Sequence, residues 1–212
     1  LMKNILPFYA FSYKHKVCII CEGNEEYKYL ERLKELHVWN DIYDISLVNA
    51  EGNGNIPARY QDRYQNGSYE AVLVFCDTEK KPYEQYEDIK RKINEFHGID
   101  NAAEKIVIFA NPCTMQIVSK HWTDETIKSP AKKVNAPLIE KYTGVKDYKG
   151  KAAQIDELMK YVTDDNYDVM RKNISNAISD EKLVGSTNFN KLINYLDSMD
   201  STWIATLNQV LE

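Results

Sequence analysis

The chain has 212 residues and a formal net charge of −5, with 43% hydrophobic and 28% charged side chains. That balance excludes a disordered polymer and supplies enough apolar material for one large domain, or a domain with an appendage. No apolar run approaches the roughly 18–20 residues that span a bilayer, and the acidic total argues against a general polyanion binder.

The first sixteen residues, LMKNILPFYAFSYKHK, are too short and too aromatic for a secretory leader. Residues 16–21 (KVCIIC) read as a strand apolar on both faces, as in a covered parallel sheet. Residues 25–37 read as a helix with Tyr29, Leu30, Leu33 and Leu36 on one side; Asn24 is the expected N-cap, and Gly23 lets the backbone turn sharply before it. A second strand follows at 43–50, then the loop EGNGNIP and a short helix at 57–65. Residues 70–76 (EAVLVFC) form a third strand, 83–97 an amphipathic helix, 105–110 (KIVIFA) a fourth strand and 113–121 a short helix. Past residue 122 strand signals fade, and helices are expected near 135–143, 151–163, 166–179, 187–198 and 201–211. The division is an α/β unit over 1–122, Rossmann-like with a parallel sheet of about four strands flanked by helices, and a helical C-terminal region over 123–212.

Charge is unevenly placed. Residues 128–151 hold seven lysines against Glu140 and Asp147, whereas 152–212 hold five basic and ten acidic residues. Lys128, Lys132, Lys133, Lys146 and the other lysines of this stretch are candidates to track a phosphate backbone, with Tyr142 and Tyr148 stacking on bases; the alternative is a solvated lysine-rich surface. Cys18, Cys21, Cys76 and Cys113 all fall in apolar contexts, which points to buried, reduced thiols in a cytoplasmic protein. Cys18 and Cys21 have metal-knuckle spacing, but on a strand they point to opposite faces and no second pair follows.

The acidic residues at the strand ends carry the sharpest signal. Glu22 ends the first strand and Asp77-Thr78-Glu79 the third, and open parallel sheets form their sites at these carboxyl ends. Glu26 lies one helical turn beyond Glu22, and Glu25 reads as a first-turn acid and no more. Four carboxylates meeting at one place need a cation, and all-oxygen ligands select Mg²⁺ or Mn²⁺. Taken singly, each motif reads more readily as helix capping or as first-turn acids favoured by the helix macrodipole.

Together, VCIICEGNEEYKYLERL resembles the EGxTE motif that opens a toprim domain of the OLD-like and RloB-like branch, and VLVFCDTEKK resembles its DxD motif. KIVIFANPCTMQIVSKHW is similar to the strand and Asn-Pro-Cys segment of RloB-like proteins, and GVKDYKGK and GSTNFNKLINYL to their C-terminal pattern. The resemblance implies a Mg²⁺- or Mn²⁺-dependent nuclease acting on DNA or RNA, tRNA included, as an effector of bacterial anti-phage or abortive-infection defence. It assigns Glu22 to metal binding and acid–base catalysis, Asp77 to metal binding and catalysis, Glu26 to metal binding, and Glu79 to metal binding at the second Asp of DxD. A late lysine that stabilises developing charge falls to Lys149 or Lys151. RloB-like proteins usually carry a Glu shortly after the Cys, where this chain has Thr114, Met115 and Gln116. No ATPase motif is present, so a separate ATPase partner is expected, and homo-oligomerisation stays open. The rival readings are a toprim-like module that binds nucleic acid or nucleotide without cleaving it, and a regulatory protein-interaction subunit.

Overall fold

The structure, a computed structural model, describes residues 13–175 and 177–212. The stretch read as unsuited to a secretory leader lies almost wholly outside the described residues. Four strands, β1 (His15–Cys21), β2 (Tyr43–Asn49), β3 (Ala71–Asp77) and β4 (Val107–Ala110), form one all-parallel sheet in the order β2-β1-β3-β4. The two central strands explain the apolar runs: Val17–Cys21 and all of β3 are buried.

Helix α1 (Asn24–Glu35) leads from β1 to β2; a 3-10 turn (Asn53–Asn55) and α2 (Ile56–Asn66) lead to β3. Helices α3 (Glu84–His97) and α4 (Ala102–Ile106) lead to β4. The chain thus leaves β1 toward one edge of the sheet and returns past it to the other. That makes the junction of β1 and β3 the topological switch point, where open sheets place ligands.

Beyond β4 run α5 (Met115–Val118), a 3-10 turn (Ser119–His121), α6 (Lys132–Thr143), α7 (Ala152–Met159), α8 (Asp164–Ser175), α9 (Phe189–Asp197) and α10 (Thr202–Leu211). These helices share one apolar cluster with the sheet. Phe189 of α9 meets both Phe75 of β3 and Tyr29 of α1, with ring centroids 5.4 and 5.8 Å apart. Burying one such ring contributes about 1.5–3 kcal/mol.

Four local expectations are corrected. Gly23, not Asn24, is the N-cap of α1, and the Glu26 carboxylate accepts its N–H at 2.9 Å. Gly23 has φ −151° and ψ −160°, extended backbone open to any residue. The segment KI of KIVIFA is the last turn of α4, and the strand proper starts at Val107. Helix α9 starts at Phe189, because Thr187 and Asn188 are engaged by the edge of β4.

All four cysteines are free and buried. No helix among the described residues is long and apolar enough to cross a membrane.

Candidate metal centre

Glu22 is the first residue past β1, and its backbone is tied on both sides. Its N–H donates to the Phe75 carbonyl at 3.0 Å, continuing the β1–β3 ladder, and its carbonyl accepts the Gly52 N–H at 2.8 Å. The half-buried side chain therefore reaches β3, where Oε2 accepts the Asp77 N–H at 2.8 Å. Asn53 adds a second hold. With its amide nitrogen turned toward Glu22 it donates to both carboxylate oxygens at 2.8 Å, and the Gln85 amide turns with it so that a Gln85 N–H, and not Oε1, meets the Asn53 oxygen; the hydrogen-bond network assigns these orientations.

Glu26 and Asp77 are 4% and 5% exposed. Both meet Thr114, whose Oγ1 lies 2.6 Å from Glu26 Oε1 and 2.8 Å from Asp77 Oδ1. A hydroxyl has one proton to donate. Two carboxylate oxygens at hydrogen-bond distance from it require a proton on one carboxyl, or a cation that relieves both. The electrostatics agree. Burial, then the Glu26 charge, pushes Glu22 up to about 8, against the opposing Asp77 N–H. Burial also raises Glu26, and burial followed by the charges of Glu26 and Glu22 raises Asp77 well above the usual carboxylate range. Three carboxyls have been removed from water into one another's field.

Glu79 is brought to the rim. It is half-buried with φ 61°, donates its N–H to the Pro112 carbonyl at 3.1 Å, and raises Glu22 through its charge. A side chain in that left-handed conformation costs roughly 1–2 kcal/mol.

The lysine that the structure ties to this end of α1 is Lys132, at the start of α6. It forms an ion pair with Glu25, whose other oxygen accepts the Tyr148 hydroxyl at 2.5 Å. Burial works against the Lys132 ammonium, but Glu25 and then Asp77 outweigh it and hold it above its ordinary value. Glu25, 7% exposed, is therefore a member of the site's wall and not an exposed first-turn acid. Lys149 and Lys151 have exposed side chains, and Lys149 donates its backbone N–H to Gln154 at 2.9 Å. Tyr148, expected to stack on bases, is 1% exposed and closed to them, because its hydroxyl is committed to Glu25. Lys128, Lys133 and Lys146 are exposed.

Gln116 does not substitute for the acid expected after Cys113, since its Oε1 accepts the Ile127 N–H at 2.8 Å. Thr114, Asn53 and Glu25 escaped the sequence reading. Asn53 lies in GNGN, which is not a phosphate loop because no Gly-Lys-Ser/Thr follows, and nothing else in that loop points to Glu22.

The donor set of Glu22, Glu26 and Asp77, with Glu79 at the rim, is all oxygen and carries excess negative charge, so it fits a hard divalent cation in its chemistry. Among the described residues no three His, Cys, Asp or Glu side chains form a ready-made cage. Comparison with protein-family models, curated proteins and solved structures returned no match for this chain.

Proposed function

We propose that the chain is a metal-dependent nuclease that cleaves phosphodiester bonds of DNA or RNA. The observation that carries this reading is the convergence of Glu22, Glu26 and Asp77 at the switch point of a parallel sheet, with Thr114 shared between two of them. Glu22, Glu26 and Asp77 would hold Mg²⁺ or Mn²⁺, with Glu79 in support. The bound ion supplies Lewis-acid polarisation of a phosphoryl oxygen and a water acidic enough to act as nucleophile at neutral pH. The protein orients Glu22 through the Asp77 N–H and Asn53, and keeps Glu26 in place through the Gly23 N–H. Lys132 is the fixed cation beside the cluster, and exposed Lys128, Lys133, Lys146, Lys149 and Lys151 give salt-dependent, sequence-independent attraction to a phosphate backbone. The resemblance to toprim nucleases of the OLD-like and RloB-like branch extends the reading to a cytoplasmic effector of bacterial anti-phage or abortive-infection defence, working with a separate ATPase.

The test is cleavage of plasmid DNA and of tRNA in Mn²⁺ by wild type, Glu22→Ala and Asp77→Ala. Wild type cleaves one of them, and each variant loses about 10²-fold or more. Equal activity in all three contradicts the roles given. A second reading, a toprim-like module that binds without cleaving, is favoured by one observation: Gln116 is spent on the Ile127 backbone, which leaves no further carboxylate from that segment. Oligonucleotide binding with no Mn²⁺-induced rise in melting temperature selects it.

A further inference from the structure

Helix α1 opens with an acid where the toprim pattern carries Thr, and that acid is nearly sealed from solvent. A buried carboxylate needs partners. Glu25 has two, both from residues 128–151: the Lys132 ammonium on Oε2 and the Tyr148 hydroxyl on Oε1. Gly150 closes over them with φ +69°; a Cβ there would lie 3.2 Å from Glu25 Oε1 and 3.4 Å from Lys132 Cε. The Lys132 stem is thus held between an acid that grips its ammonium and a glycine that packs on its carbons.

The lysine is fixed but not sealed. Its side chain is 34% exposed, and among the described residues its hydrogen-bond acceptor is Glu25. An ammonium has three donors, so two remain for a ligand, and the residue that grips it, Glu25, is next in the chain to Glu26, whose carboxylate meets Thr114 together with Asp77. The other lysines of the stretch are solvated, and Lys141 is paired with exposed Glu125 at 3.2 Å. They supply diffuse, screened attraction, whereas Lys132 supplies a placed charge.

We propose that Glu25 is a positioning residue that holds the Lys132 ammonium beside the carboxylate cluster, where it receives a phosphate oxygen of a phosphodiester substrate. This rests on the reading of the cluster as a phosphodiester-cleaving centre. Tyr148 and Gly150 complete the clasp, which explains why the segment DYKG folds back onto α1 instead of lying free with the surrounding lysines.

The experiment uses the full chain and fluorescent DNA and RNA oligonucleotides in Ca²⁺, with affinity read by anisotropy and stability by melting in EDTA. Lys132→Arg binds within a few-fold of wild type, whereas Lys132→Met weakens binding about tenfold or more. Glu25→Gln, which keeps a partner for Tyr148, falls between them. The exchange Glu25→Lys with Lys132→Glu rebuilds the ion pair: it recovers melting temperature but not binding, because a carboxylate then faces the phosphate. A Lys132→Met protein that binds like wild type overturns the proposal, as does an exchange variant that recovers binding together with stability. Wild type that binds no oligonucleotide overturns the phosphodiester reading itself, and this proposal with it.

Discussion

Thr114 has one proton and faces two carboxylate oxygens, and its replacement tests how the cluster is kept together. Thr114→Val keeps the shape and removes the donor, so in EDTA at neutral pH it lowers stability by about 1–3 kcal/mol in urea unfolding; stability equal to wild type contradicts the shared bond. His121 gives a pH test away from the carboxylates. It is buried, with Nε2 3.0 Å from the Tyr29 hydroxyl and Nδ1 2.7 Å from Asn166 Oδ1. Burial, opposed by Asn166, lowers its pKa from 6.5 to about 4. Below 6.5 the unfolded chain takes up a proton that the folded one refuses, so the stability this group contributes is full above 6.5 and is lost as pH falls toward 4. The raised carboxyls act in the opposite direction, so the difference between wild type and His121→Asn isolates it. Wild-type melting temperature falls faster than that of the variant over this window, and parallel curves contradict the assignment. Glu22, Glu26 and Asp77 were legible in the sequence because strand ends and first helical turns have a grammar. Glu25 was not, because its meaning comes from Lys132, 107 residues away.

The free edge of β4 shows the same limit in an element. Asn188 accepts the Phe109 N–H at 2.7 Å and donates to the Val107 carbonyl at 2.9 Å, while Thr187 donates its hydroxyl to the Phe109 carbonyl at 2.6 Å. Two side chains stand in for a neighbouring strand and satisfy edge groups that would otherwise be open to another chain. Asn188→Ala removes both bonds and costs about 1–3 kcal/mol, while Asn188→Asp keeps the acceptor but turns a carboxylate oxygen onto the Val107 carbonyl and costs at least as much. Chemical denaturation reads both, and an Ala variant as stable as wild type contradicts the edge role. The apolar period of Phe189, Leu192, Ile193 and Leu196 made α9 legible. Its starting residue was not, because Asn188 answers to β4. The start of β4 was misread for a related reason: Lys105 and Ile106 continue an apolar strand pattern, yet the chain keeps them in the last turn of α4.

In the whole molecule, alternating strand and helix patterns foretold a parallel sheet, since parallel neighbours need long crossovers. The order β2-β1-β3-β4 is not written in any local pattern, yet it is what brings Glu22 to the Asp77 N–H across 55 residues. The docking of residues 123–212 was equally hidden. It decides that Lys132 pairs with Glu25 while Lys149 and Lys151 keep exposed side chains, and that Tyr148 is buried where a base-stacking ring was expected. The proposed activity depends on those carboxylates taking a hard cation. Mn²⁺ titration of metal-stripped protein, followed by calorimetry, tests this most directly. Wild type shows saturable binding that Glu22→Ala and Asp77→Ala abolish; a wild type that takes up no Mn²⁺, or variants that bind it equally well, would contradict the account.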